Sequence, residues 1–191
     1  MIYSNGDSVQ LSINGKAIAT RKPDSGADRP YGTDLEKGGH PFTGGDAADL
    51  SAPPFTFDAV PFTPGSLKAV AYAKGKIAAT QTIYTPGTPT GLKLSLDDQG
   101  VPLKADGADA VFVRATLIDS AGHPVYTNTA DLDKTIHFSI SGPAVIVSPN
   151  ERQTEAGIAS ILIQATTQKG KLVIKASATG LKSATLTYNL Q

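Results

Sequence analysis

The sequence predicts an all-β chain built as two antiparallel β-sandwiches in tandem, and three observations lead there. First, one strand–turn–strand string occurs twice, as Gly65-Ser-Leu-Lys-Ala-Val-Ala-Tyr-Ala-Lys-Gly-Lys-Ile-Ala-Ala-Thr-Gln-Thr-Ile83 and as Gly170-Lys-Leu-Val-Ile-Lys-Ala-Ser-Ala-Thr-Gly-Leu-Lys-Ser-Ala-Thr-Leu-Thr-Tyr188. Both copies alternate apolar and polar residues, turn at a glycine-containing tip and alternate again. That is a hairpin with one buried face, because successive strand side chains point to opposite sides of a sheet. Second, the remaining chain consists of short alternating runs between turn residues, with 19 Gly and 13 Pro supplying the punctuation. Third, no stretch carries an amphipathic helical period.

Size and composition bound the answer further. A chain of 191 residues accommodates two modules of roughly 90–100 residues, the usual size of an immunoglobulin-like sandwich and enough to bury one core. Residues 1–86 are read as the first module and 87–191 as the second. Lys+Arg and Asp+Glu both number 17, so no positive excess draws in phosphate backbones or anionic lipid, and nucleic-acid partners are not expected. Cysteine is absent, which removes disulfides, thiolate nucleophiles and Cys-ligated metals together. No apolar run reaches 18 residues, so membrane insertion is not expected. The chain enters a strand pattern directly at Met1-Ile-Tyr-Ser, without the features of a signal peptide, and reads as a piece of something longer.

In order, Ile2-Tyr-Ser4 and Val9-Gln-Leu-Ser-Ile13 read as strands around the turn Asn5-Gly-Asp7. Asn14-Gly15 then forces a two-residue hairpin, since both central residues of a type I′ turn need positive φ, and Lys16–Arg21 is the returning strand. Residues 23–54 show neither period and are read as a long loop, either a floppy excursion or a segment held over a neighbouring surface by Tyr31, Leu35 and Phe42, and in the second case the part of the chain that reaches a partner. Phe55-Thr-Phe-Asp-Ala-Val-Pro-Phe62 resumes alternation, with Phe55 and Phe57 on one face, and Pro64-Gly65 opens the first repeated hairpin. Thr85-Pro-Gly-Thr-Pro-Thr-Gly91 is a short linker that its prolines hold extended.

The second module starts with Leu92-Lys-Leu-Ser-Leu96 and a turn at Asp97-Asp-Gln-Gly100. Val111–Ile118 is a central strand with Val111, Val113, Ala115 and Leu117 on its core side, turned by Asp119-Ser-Ala-Gly-His-Pro124. Thr135–Ile140, Ala144–Val147, Ile158–Ile163 and the final hairpin complete seven strands.

Chemistry is sparse. Asp106 and Asp109 flank Gly107 and read as carboxylates capping their own turn; Asp97 and Asp98 read the same way. Calcium wants six or more oxygens, which neither pair supplies. His40, His123 and His137 are scattered and make no zinc pattern. No serine sits in a nucleophile elbow. Sugar platforms need flat exposed aromatics; Trp is zero, and Phe57, Phe62, Tyr72, Phe112 and Phe138 sit in strand patterns as core. Tyr31, Phe42, Tyr84 and Tyr126 are the freer aromatics and the candidates for contact with a partner or a sugar. No metal, cofactor or catalytic residue is assigned.

Several strings resemble one family. Ile2-Tyr-Ser-Asn-Gly-Asp-Ser-Val-Gln-Leu-Ser-Ile-Asn-Gly-Lys16, Pro54-Phe-Thr-Phe57 and Pro64-Gly-Ser-Leu-Lys-Ala-Val-Ala-Tyr72 resemble the accessory domain that follows the catalytic barrel in bacterial family 2 glycoside hydrolases. Leu103-Lys-Ala-Asp-Gly-Ala-Asp-Ala-Val-Phe-Val113, Asp119-Ser-Ala-Gly-His-Pro-Val125 and Ala156-Gly-Ile-Ala-Ser-Ile-Leu-Ile163 are similar to the bacterial immunoglobulin-like domain that ends the same enzymes, and also to repeats of intimin- and invasin-type adhesins. The resemblance implies the non-catalytic C-terminal part of a β-galactosidase-like enzyme, exported to the periplasm or cell surface, whose partners are the catalytic barrel and other domains of its own parent chain. Such enzymes use two glutamates on a TIM barrel; here Glu36, Glu151 and Glu155 match no catalytic string of the family. The alternatives are a fragment of a surface adhesin and a carbohydrate-binding module.

Overall fold

The computed structural model describes residues 1–24, 52–126 and 132–191. Among these residues the chain is all-β, with three antiparallel four-stranded sheets. It divides into two compact units, Met1–Thr85 and Pro86–Gln191.

Unit 1 holds one sheet of order β2-β1-β3-β4, formed by β1 (Ser8–Ile13), β2 (Lys16–Arg21), β3 (Ser66–Ala73) and β4 (Lys76–Tyr84). Both hairpins follow the sequence expectation: Asn14-Gly15 and Lys74-Gly75 have φ of 50°, 79°, 51° and 74°, the left-handed pair that a type I′ turn requires. What joins the hairpins is a pairing of distant segments, β1 with β3, in which Val9 stands opposite Ala71 and Leu11 opposite Ala69. Phe55 and Val9 have no exposure and pack with Ala71, and Ile2, Phe57 and Ala69 close around them. Ile2–Ser4 is not a strand. Ile2 makes a single antiparallel bridge to Phe55, through N–H···O bonds of 2.9 and 2.8 Å.

The β1–β3 pairing is pinned at both ends. At one end the Asp7 N–H donates to Tyr72 O (2.7 Å), and the Asp7 carboxylate accepts the N–H of Lys74 (2.5 Å). At the other, the Asn14 side chain accepts from Ser66 N–H (2.7 Å) and donates to Pro64 O (3.0 Å). Gly65 has φ of 128°, and a Cβ there would collide with the Asn14 amide. Only glycine fits beneath that side chain.

Unit 2 holds two sheets. One has the order β5-β6-β10-β8, from β5 (Gly91–Leu96), β6 (Ala110–Ile118), β8 (Ala144–Ile146) and β10 (Ile158–Ala165). The other has the order β12-β11-β7-β9, from β7 (Thr135–Ser141), β9 (Glu151–Gln153), β11 (Gly170–Ser177) and β12 (Ala184–Leu190). Their inner faces share one core in which Val113, Leu117, Ile136, Ile161, Ile163, Leu172 and Ile174 are at most 1% exposed. Strand alternation produces this: along β10, Ala159, Ile161, Ile163 and Ala165 are buried and the residues between them are partly open.

Four further sequence expectations change. The second module has eight strands among its described residues instead of seven; Glu151–Gln153 is a short polar edge strand with no apolar alternation to announce it. Phe55–Phe62 forms no strand beyond the bridge at Phe55. Phe112 is half exposed because it alternates with Val111 and Val113 and faces outward from β6. Phe62 is 82% exposed, since Pro61 and Pro64 flank it and withhold the N–H donors that a pairing strand supplies. Phe138 is buried, and Phe57 and Tyr72 are half-buried.

Ile174→Ala is expected to cost about 2–5 kcal/mol, whereas Ile77→Ala, on an open strand, is expected to stay within about 0.5 kcal/mol. Urea titrations of the two variants followed by circular dichroism check this, and equal losses contradict the assigned core. Gly65→Ala is expected to cost about 1–3 kcal/mol from the left-handed backbone alone. In the Asn14→Ala background the penalty is expected to fall, because the clashing amide is gone, and a double-mutant cycle reads that coupling.

Candidate functional site

The described carboxylates mostly bind backbone amides. Asp119 is the most heavily used. It ends β6 at 7% exposure, and its Oδ1 accepts the N–H groups of Ala121 and His123, both at 2.9 Å. Its Oδ2 accepts the Gly87 N–H at 2.9 Å and lies 3.3 Å from His123 Nδ1. The Gly87 amide above all, with those of His123 and Ala121, holds the Asp119 carboxyl down at about 2, against the opposing effect of burial. Asp119 thereby fastens the linker to the turn after β6. The Thr90 N–H adds a bond to Ile118 O (2.8 Å) and Pro89 is buried, so residues 87–90 are held by hydrogen bonds as well as by proline.

The other acids behave alike. Asp106 accepts from Ala108 (2.9 Å) and Asp109 (2.7 Å), and these two amides lower its pKa, that of Ala108 first. Asp109 accepts from Lys104 (2.9 Å). Asp98 accepts from Gly100 (3.0 Å), and Asp97 pairs with Arg114 at 2.5 Å. In unit 1, Asp24 receives Thr56 through its N–H (3.2 Å) and its hydroxyl (2.5 Å), and the Asp24 N–H reaches Pro54 O (2.8 Å). The chain therefore leaves after Asp24 and returns before Thr56 at one place. Glu151 on β9 lies 3.2 Å from His137 on β7, both in solvent, and Glu155 is exposed.

Of the aromatics singled out by sequence, Tyr84 at the end of β4 is 50% exposed and Tyr126 is 47% exposed; they lie in different units. Tyr31 and Phe42, with Glu36, His40 and most of the loop 23–54, lie outside the described residues.

A concavity absent from the sequence reading lies in unit 1. A groove of about 330 Å³ has Val9, Ala69 and Ala71 for its floor, residues 2–4 for one wall and residues 79–81 of β4 for the other. It exists because alanines stand where the sheet face would otherwise carry large side chains: Ala71 is paired with Ala79, and Ala69 with Gln81. Phe55 covers the β1 side of this face, and the β4 side stays open. Tyr3, on the N-terminal wall, is 78% exposed. The signal in the sequence was the run of alanines in the first hairpin, but only the register puts them together.

Comparison with known proteins gives one family model for each unit. Residues 92–187 match the family model described as glycoside hydrolase family 2 C-terminal domain 5, and residues 1–79 match a domain of unknown function, DUF4982. The chain is 29% identical over 197 residues to a β-galactosidase, BoGH2A, of Bacteroides ovatus, covering 96% of this chain and 19% of that protein. It is 26% identical over 198 residues to a β-glucuronidase of Formosa agariphila, covering 97% of this chain and 17% of the relative. The chain thus spans about a fifth of the length of the curated relatives it matches. Among solved structures, a glycosyl hydrolase family 2 member from Bacteroides cellulosilyticus matches 97% of this chain and 23% of its own at 25% identity, with a TM-score of 0.64. A β-glycosidase from Bacteroides vulgatus shares the fold, with a TM-score of 0.69 at 20% identity over 97% of this chain and 21% of that one.

Asp119→Asn is expected to lower the thermal midpoint at neutral pH. A group whose folded pKa is depressed contributes stability that is present above its unfolded pKa of about 3.9 and lost as pH falls through the folded value. The gap in midpoint between wild type and variant should therefore be full above about pH 4 and narrow toward pH 2. A gap independent of pH across that window would contradict the assigned role.

Proposed function

Because the chain belongs, through residues 92–187, to the glycoside hydrolase family 2 C-terminal domain 5 family, we propose that it is the non-catalytic C-terminal portion of a β-galactosidase-like glycoside hydrolase. Its task is to support the catalytic barrel or a subunit interface of the longer protein. The observation that carries this reading is the extent of the matches. Nearly all of this chain aligns to about a fifth of a β-galactosidase and of a β-glucuronidase.

The local chemistry supports it. Retaining glycosidases hold two carboxyl groups about 5–5.5 Å apart across the sugar, one able to carry a proton. Asp106 and Asp119 are instead bound to backbone amides, which keeps them ionised rather than poised to donate. The two sheets of unit 2 bury their facing apolar sides in one shared core. Each unit is proposed as an immunoglobulin-like module, and placement of the parent enzyme in the periplasm or at the cell surface is proposed from the resemblance.

The purified 191-residue chain is expected to release no nitrophenol from nitrophenyl β-galactoside or β-glucuronide, while its removal from the longer protein lowers that protein's thermal midpoint or soluble yield. Turnover by the chain alone, or an unchanged midpoint and yield after its removal, would overturn the proposal.

A further inference from the structure

The groove in unit 1 carries a sharper inference, which rests on the reading above. Its floor is apolar and made of small side chains, Val9, Ala69 and Ala71, and one wall is the centre of β4. β4 is the edge strand of its sheet, hydrogen-bonded among the described residues only to β3. From Ile77 to Tyr84 it contains no charge and no proline, and Ile77 and Ile83 are 66% and 56% exposed. Edge strands left to water are ordinarily blunted by charges, proline or a cover. This one has the composition of a strand that is covered.

The other wall indicates what does the covering. Residues 2–4 form it, held in place by the two bonds between Ile2 and Phe55. In the β-galactosidase and β-glucuronidase that nearly all of this chain matches, about four-fifths of the length lies outside the matched stretch, and the family this chain belongs to is a C-terminal one. A polypeptide continuing upstream of residue 1 therefore reaches unit 1 at the lip of the groove. We propose that the groove and the adjoining face of β4 are a docking surface for the part of the same longer chain that precedes this one, which inserts an apolar side chain between Tyr3 and Gln81 onto the alanine floor. A floor of alanine and valine side chains offers a close-packed seat to a methyl or aromatic group, and the polar side chains of Ser4, Thr80 and Gln81 stand on the walls around it.

The 191-residue chain contains no cysteine, so Gln81→Cys and, as an exposed reference on the same strand, Lys76→Cys each install a single thiol. Both variants are made in the 191-residue chain and in the longer protein, and maleimide modification is timed by peptide mass mapping. The expected result is modification of Cys at position 81 roughly tenfold or more slower in the longer protein than in the 191-residue chain, with the reference changing less. Equal rates at position 81 would overturn the docking surface and, if removal of the chain still destabilises the longer protein, would leave the supporting role standing. Protection in the 191-residue chain that grows with its own concentration would overturn the proposal in favour of self-association. Protection there by added galactoside or glucuronide would do so in favour of a sugar ligand.

Discussion

The apolar interior between the two sheets of unit 2 is the constraint from which the rest of that unit follows. Every second residue of β6, β10 and β11 points into it, and its central side chains have almost no contact with water. A slip of one residue in any pairing would turn a whole apolar set outward, so register is strongly specified without any disulfide to enforce it. Loops can then be committed to polar detail. Asp119 gathers three amides at the end of β6 because the strand delivers it there, and Tyr188 of β12 accepts the Leu103 N–H at 2.9 Å because the core fixes both segments.

Unit 1 meets the same physical demand with less material. Its described residues form one sheet, and the apolar cover of that sheet is Phe55 with Ile2 and Phe57. Hydrogen bonds at the two ends of the β1–β3 pairing do the work that a larger core does in unit 2: Asp7 grips the tip of the β3–β4 hairpin and Asn14 grips its root. A cover confined to the β1 side also leaves the alanine-floored groove beside β4. In both units carboxylates accept backbone N–H groups at turns, and in unit 2 those amides hold Asp106 and Asp119 ionised. A site for proton transfer has the opposite character, a carboxyl destabilised in its charged form.

Much of the architecture was legible along the chain because period-two alternation and turn chemistry are local. The all-β class, the type I′ turn at Asn14-Gly15, the glycine-containing tip at Gly75, the inward set on β6 and the repeated hairpins all rest on neighbours within a few residues. Where reading failed, the missing information was a partner. Glu151–Gln153 is a strand only because β7 lies beside it, and three polar residues give no periodic signal. Phe62 looked like core because aromatic residues usually are, and only the absence of a pairing partner among the described residues leaves it in water.

By itself the sequence determined which faces are apolar, where the backbone must turn with positive φ, and, through its resemblance to one enzyme family, which kind of protein this belongs with. Those properties are carried by single residues and their immediate neighbours. The tertiary structure decided which distant strands pair, that Asp119 reaches back to Gly87, and that Ala69, Ala71 and Ala79 converge into one groove. No local rule contains these, because they are set by the free energy of closing long loops onto a shared apolar interior, and that is a property of the whole folded unit.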